Sequence, residues 1–210
     1  MKKLFIAGAI LLAVNGVNAQ HLSLGPTAGF GHSWGRDDNS ATKNKFHPAY
    51  NVGAKLVYST LSHFGFSADV KFSGEGGTIE TMSGSTKYKV ETRANFIRVP
   101  LQAIYFFGKY GDKIRPKVSL GPSLGFMVGG KSKAFENDKK IGEGDTKDAV
   151  KGFDLGANVA AGANFRIKEG VWLNADVTYY HGLVDISKAA GNAYQSGVGL
   201  NIGVLFPIGK

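Results

Sequence analysis

The chain has 210 residues, with 30 Gly, 6 Pro, no Cys and a formal net charge of +9 at pH 7. Glycine at about twice its usual share of roughly 7%, without a three-residue period, excludes collagen, and the plentiful aromatics exclude a disordered chain. The lack of cysteine excludes a disulfide scaffold, a Cys-ligated metal site, a thiol nucleophile and a lipidated N-terminal Cys.

Met1-Lys2-Lys3 is a charged start, Leu4 to Val14 an apolar core, and Val17-Asn18-Ala19 ends on a small residue. The stretch predicts a secretory signal peptide over 1–19, cleaved before Gln20. Its core falls well short of the roughly 20 residues that a membrane helix needs. Residues 20–210 then form one domain, in which apolar and polar residues alternate with period two. The segment 20–31 sets Leu22, Leu24, Ala28 and Phe30 against Ser23, Gly25, Thr27 and Gly29. In 50–59, Tyr50, Val52, Ala54, Leu56 and Tyr58 oppose Asn51, Gly53 and Lys55. In 63–73, Phe64, Phe66, Ala68, Val70 and Phe72 oppose Ser67, Asp69 and Lys71. The segment 93–107 turns Ile97, Val99, Leu101, Ala103 and Tyr105 away from Arg98 and Gln102, but Phe96, Ile104 and Phe106 break its alternation. The same pattern recurs over 114–129, 152–165, 170–181 and 194–206. Connections alternate between short (59–62, 108–113, 166–169) and long (32–49, 74–92, 130–151, 182–193).

An even number of strands with alternating short and long connections predicts an all-β fold, an eight-stranded antiparallel up-and-down transmembrane β-barrel. A soluble barrel of the same size would hide the apolar face and show charges outside. Three features favour the inverted arrangement. The polar faces are poor in long charged side chains and rich in Gly, Ser, Asn and Ala. Aromatics cluster at both ends of the apolar faces, with Tyr58, Phe64, Phe66, Tyr105, Phe107, Phe165 and Phe206 toward the short turns. Phe30, Tyr50, Phe72, Phe126, Phe153, Tyr179 and Tyr194 lie toward the long loops. Phe206 also closes an apolar-faced strand near the C-terminus.

The stretch Phe96-Ile-Arg-Val-Pro-Leu-Gln-Ala-Ile-Tyr-Phe106 resembles the signature strand of the outer-membrane β-barrel domain of Bacteroidetes-type bacteria, a family that includes PorT-like and OmpX-like barrels. Leu120-Gly121-Pro122-Ser123-Leu124-Gly125 is similar to that family's following strand. The resemblance implies the fold and the outer membrane. It implies no single activity, although PorT-like members are linked to type IX secretion.

The inward face collects Lys55, Asp69, Lys71, Arg98, Lys117, Asp154 and Asp176. Either these charges form an ion or proton path, or they pair into a structural plug. The lumen of eight strands is just wide enough for side chains to fill it, and unpaired buried charge is costly, so the plug is expected. A lipid hydrolase would need a set such as His181, Asp185 and Ser187 or Ser196 at the outer rim. No spacing motif supports it, and Gly121-x-Ser123-x-Gly125 lies within a strand rather than on a strand-to-helix elbow. None of the five histidines (His21, His32, His47, His63, His181) pairs at zinc-ligand spacing. No catalytic, cofactor or metal residue is assigned. The segment 130–151 is half charged, a surface for lipopolysaccharide phosphates or a protein partner, or simply a solvated mobile loop, which its near-balanced charge favours. Lys109, Lys113, Arg115, Lys117, Arg166, Lys168 and Lys210 form a basic collar near the short turns that would suit anionic head groups. The expected protein is therefore a non-enzymatic outer-membrane barrel acting structurally or through its loops. Its expected partners are outer-membrane lipid, lipopolysaccharide and possible envelope or secretion proteins, not nucleic acid. A secretion accessory and a lipid-modifying hydrolase are the alternatives.

Overall fold

The structure, a computed structural model, describes residues 22–37, 43–109, 111–188 and 191–208. The expected signal segment, His21 and Lys210 lie outside the described residues. In chain order the strands are β1 (Leu22–Asp37), β2 (Lys43–Lys45), β3 (Pro48–Ser59), β4 (Phe64–Ser83), β5 (Thr86–Phe106), β6 (Ile114–Glu136), β7 (Lys139–Asp145), β8 (Phe153–Lys168), β9 (Val171–Gly182) and β10 (Ala193–Pro207). The eight long strands pair antiparallel in sequence order, and β1 pairs with β10 from Ser23↔Pro207 to Asp37↔Ala193. The ring is closed, so it has no free edge at membrane depth.

Period two sends alternate side chains to opposite sides of the wall, and here the polar set goes inward. Asp154 is fully buried and Lys55 is 5% exposed, whereas Leu200 and Phe30 are 62% and 60% exposed. A water-soluble barrel would show the reverse. An outward surface this apolar needs hydrocarbon against it. The expected aromatics face outward at both ends. Tyr105 meets Phe64 and Phe107 edge-on with ring centres 5.5 and 5.2 Å apart, and Phe126 and Phe153 lie 5.6 Å apart.

The three residues that break the alternation of β5 are explained by burial. Phe96 and Phe106 are fully buried and Ile104 is 2% exposed, all inside the ring. Ile104 and Phe106 join Val57 and Leu205, with Trp172 packed against them, in an apolar layer across the short-turn end.

Strand boundaries differ from expectation on the long-loop side. The segments 74–92 and 130–151 are mostly strand. The β4–β5 pairing continues to Ser83↔Thr86, and the β5–β6 pairing to Tyr88↔Glu136. The β7 strand pairs with β6 and β2 with β4, giving a sheet in the order β2-β4-β5-β6-β7 beyond the barrel wall. The β6–β7 hairpin turns on Asn137 and Asp138 at φ 47° and 64°, the left-handed pair of a type I′ turn. At the other end β8 runs to Lys168, past the expected stop at 165, and its turn is Glu169-Gly170 with Gly170 at φ 72°. The short connections 59–62 and 108–113 agree with the sequence reading.

Candidate functional site

All seven expected lumen charges point inward, in two groups. The lower group joins β3, β4, β6 and β9. Lys55 and Asp69 are register partners, 3.4 Å apart, and Lys71 Nζ lies 2.9 Å from the same Asp69 oxygen. Asp176 takes Lys117 at 2.5 Å and Lys55 at 3.9 Å. Three lysines thus surround two aspartates.

The upper group centres on Arg98. Its Nε and Nη2 donate to the two oxygens of Glu75 at 2.9 and 2.6 Å, a bidentate fork. Nη2 also donates to Asp154 at 2.7 Å, and Nη1 to the Tyr180 hydroxyl at 2.9 Å. The Tyr180 hydroxyl in turn donates to Asp154 at 2.8 Å, and Ser73 donates to Glu75 at 2.7 Å. The Arg98 guanidinium stacks 4.2 Å from the Tyr180 ring and 4.6 Å from Phe96. Gly125 makes room for it, since a Cβ there would fall 2.6 Å from Arg98 Nη1. Sequence reasoning missed Glu75 and Tyr180. The two groups together hold Lys55, Lys71, Lys117 and Arg98 against Asp69, Glu75, Asp154 and Asp176, so Glu75 supplies the acid that balances these two groups.

The basic collar is smaller than expected, because Arg115 and Lys117 turn inward and are 2% and 4% exposed. Arg115 stacks 3.9 Å over Phe106 and donates to Ser59 at 2.9 Å. Stacking and the Ser59 hydroxyl replace the water that a rim position would offer.

The rim set His181, Asp185, Ser187 and Ser196 is occupied otherwise. The Asp185 carboxylate pairs with Lys151 and accepts from the backbone N–H of Ser187 and Ala193 at 2.9 and 2.8 Å. Lys151 first, then those two N–H groups, hold its carboxyl down at about 2. Ser196 accepts from Arg36 Nε at 2.8 Å, and His181 Nδ1 lies 3.2 Å from the Tyr179 hydroxyl. Ser123 is buried in mid-strand between Pro100 and Gly156. Among the described residues no group of three or more His, Asp and Glu is placed to hold a metal.

Elsewhere on the outer rim, His47 is 3% exposed. Its Nδ1 lies 3.0 Å from the Thr78 hydroxyl, its backbone N–H donates to His32 Nδ1 at 3.0 Å, and its carbonyl accepts from the Ser33 N–H at 3.1 Å. The His32 ring stacks on Trp34 and Phe46, each at 5.0 Å. His63 stacks on Tyr105 at 5.7 Å near the short turns.

A closed ring, an apolar outer belt and an ion-paired interior define an outer-membrane β-barrel protein. The family model described as outer membrane protein beta-barrel domain matches residues 16–188, and the chain belongs to that family. No curated protein matches it. Among solved structures it is similar to Ail, the attachment invasion locus protein of Yersinia pestis, at 14% identity and TM-score 0.44, covering 88% of this chain and 98% of that one. It is also similar to Neisserial surface protein A, at 13% identity and TM-score 0.46, covering 86% and 96%. A major outer membrane protein of Thermus thermophilus has 9% identity and TM-score 0.48, covering 88% and 98%.

Proposed function

We propose that this outer-membrane barrel is non-enzymatic and closed, with a structural or interaction role exercised by the β2-β4-β5-β6-β7 sheet outside the membrane. The observation that carries the reading is the filled lumen. The lower layer of lysines and aspartates lies between the Arg98 group and the apolar layer of Val57, Ile104, Phe106 and Leu205. A barrel of this width leaves little room beside such layers. With its interior occupied, the barrel acts as an anchor, and the surface available for recognition is the outer sheet. That sheet meets outer-leaflet lipid and lipopolysaccharide at its base and envelope partners above. Planar-bilayer recording tests the closed state. The reading predicts no steady conductance above the bare bilayer at neutral pH, and a steady open level from the purified protein would overturn it.

A further inference from the structure

We propose that an outward-facing cleft at the foot of this sheet binds a phosphate group of an outer-leaflet glycolipid. The inference uses the membrane orientation given above but not the closed lumen.

Position comes first. Phe72 and Ile97 are register partners on the lipid side, and the same face continues through Gly74↔Asn95, Gly76↔Arg93 and Thr78↔Glu91. Across β6 it takes in Lys131, opposite Arg93, and Lys133, opposite Glu91. The Arg93 guanidinium carbon lies 5.5 Å from the ring of Tyr50, a member of the outer aromatic belt. The cleft therefore opens where the belt gives way to head groups.

Shape and chemistry follow. The cleft has a volume of about 380 Å³ and is walled by His47, Arg93, Asn95, Lys131 and Lys133, with Glu91 among them. Gly130 forms part of the wall. A Cβ there would fall 2.1 Å from the Arg93 carbonyl oxygen, so only glycine lets β5 and β6 approach this closely. Buried atoms at the site lack hydrogen-bond partners: His47 Nε2, Arg93 Nη1 and Asn95 Oδ1. A buried guanidinium N–H without an acceptor is costly unless something fills the role. Three cations face one carboxylate here, and Lys131 also pairs with Glu143 at 2.8 Å. An anion with several acceptor oxygens satisfies Arg93 and the lysines together, as phosphate does. Asn95 Oδ1 would accept from a sugar hydroxyl or amide. A second cleft, lined in part by Lys45, Phe46 and Lys89, shares His47, Glu91 and Arg93 and gives room for the attached sugar. A lipid source is favoured over free phosphate because an acyl anchor holds the head group at this height, at high effective concentration.

The test uses the folded barrel in phosphatidylcholine nanodiscs, doped with lipid A carrying both phosphates or with the same lipid A dephosphorylated. Co-retained lipid is counted by native mass spectrometry. The proposal predicts preferential retention of the phosphorylated form, weakened about tenfold or more in Arg93→Gln/Lys133→Gln. Lys139→Gln, at the hairpin tip, should leave retention unchanged. Heat-modifiable migration confirms folding, and Lys133→Gln alone serves if the double variant misfolds, with a smaller loss. Equal retention of the two lipids, or no loss in the Lys133 variants, overturns the site. Binding of inorganic phosphate as tight as that of the lipid overturns the lipid as its source.

Discussion

Arg98 makes four hydrogen bonds from one guanidinium, to Glu75, Asp154 and Tyr180. Removing it leaves two carboxylates buried without their cation, and breaking a buried pair in this way typically costs about 3–5 kcal/mol. Arg98→Met should lower the urea midpoint in detergent micelles accordingly. The triple variant with Glu75→Gln and Asp154→Asn should recover much of the loss, because neutral amides remove the uncompensated charge. His47 sets a pH dependence at the outer rim. Burial first, then the positive field of Arg93, pulls its pKa down from 6.5 to about 4. The folded rim thus binds this proton more weakly than the opened rim does. The contribution is present above pH 6.5 and is lost as pH falls from 6.5 toward 4, on the order of 2–3 kcal/mol. Hydrogen exchange at the Ser33 and His47 amides, corrected for intrinsic rates, should speed up between pH 7 and 5 in the native chain but not in His47→Gln. At this scale the sequence was half legible. Lys55 and Asp69 could be paired because both sit on strands whose alternation shows their facing. Glu75 could not, because it lies at the start of a charged stretch that reads as loop, and its inward parity is evident only once β4 is known to continue.

The elements show why that stretch misleads. Alternation marks a strand when one face meets hydrocarbon and the other a polar interior. Beyond the membrane both faces of β4, β5 and β6 meet water, so Lys, Glu, Thr and Gly occur on either side and the signal fades while the ladder continues. The opposite failure occurs in β5, where Phe96, Ile104 and Phe106 are apolar on the inner face because they fill the lumen. Apolar character alone does not report which way a side chain points in a barrel this narrow. The turn residues of the outer hairpin did carry information: Asn137-Asp138 suits a two-residue type I′ turn. Replacing both with Val forces β-branched residues into left-handed backbone, at roughly 1–2 kcal/mol each. Hydrogen exchange over β7 and the outer half of β6 should accelerate, while protection of β8 to β10 stays as in the native chain. Equal loosening of the barrel wall would show that the outer sheet and the ring are one cooperative unit.

For the whole molecule, one inversion of inside and outside organises everything else. The eight strands were readable because each is long enough to show its two faces, and the ring closes where β10 returns to β1. Glycine and small residues on the inner face leave space for the ion-paired groups, and the Val, Leu, Ile and Phe side chains of the outer face need lipid to be covered. The last strand offers the most direct test, since the chain has no native cysteine to interfere with labelling. Single spin labels at Val198, Leu200 and Ile202, and at Gly199, Asn201 and Gly203, are placed one at a time in the folded protein in a bilayer. Their collision rates with lipid-soluble oxygen and a water-soluble nickel complex are then compared. The account predicts oxygen-rich, nickel-poor collisions at 198, 200 and 202, and low collision with both reagents at 199, 201 and 203. Nickel-accessible labels at 198, 200 and 202 would contradict it.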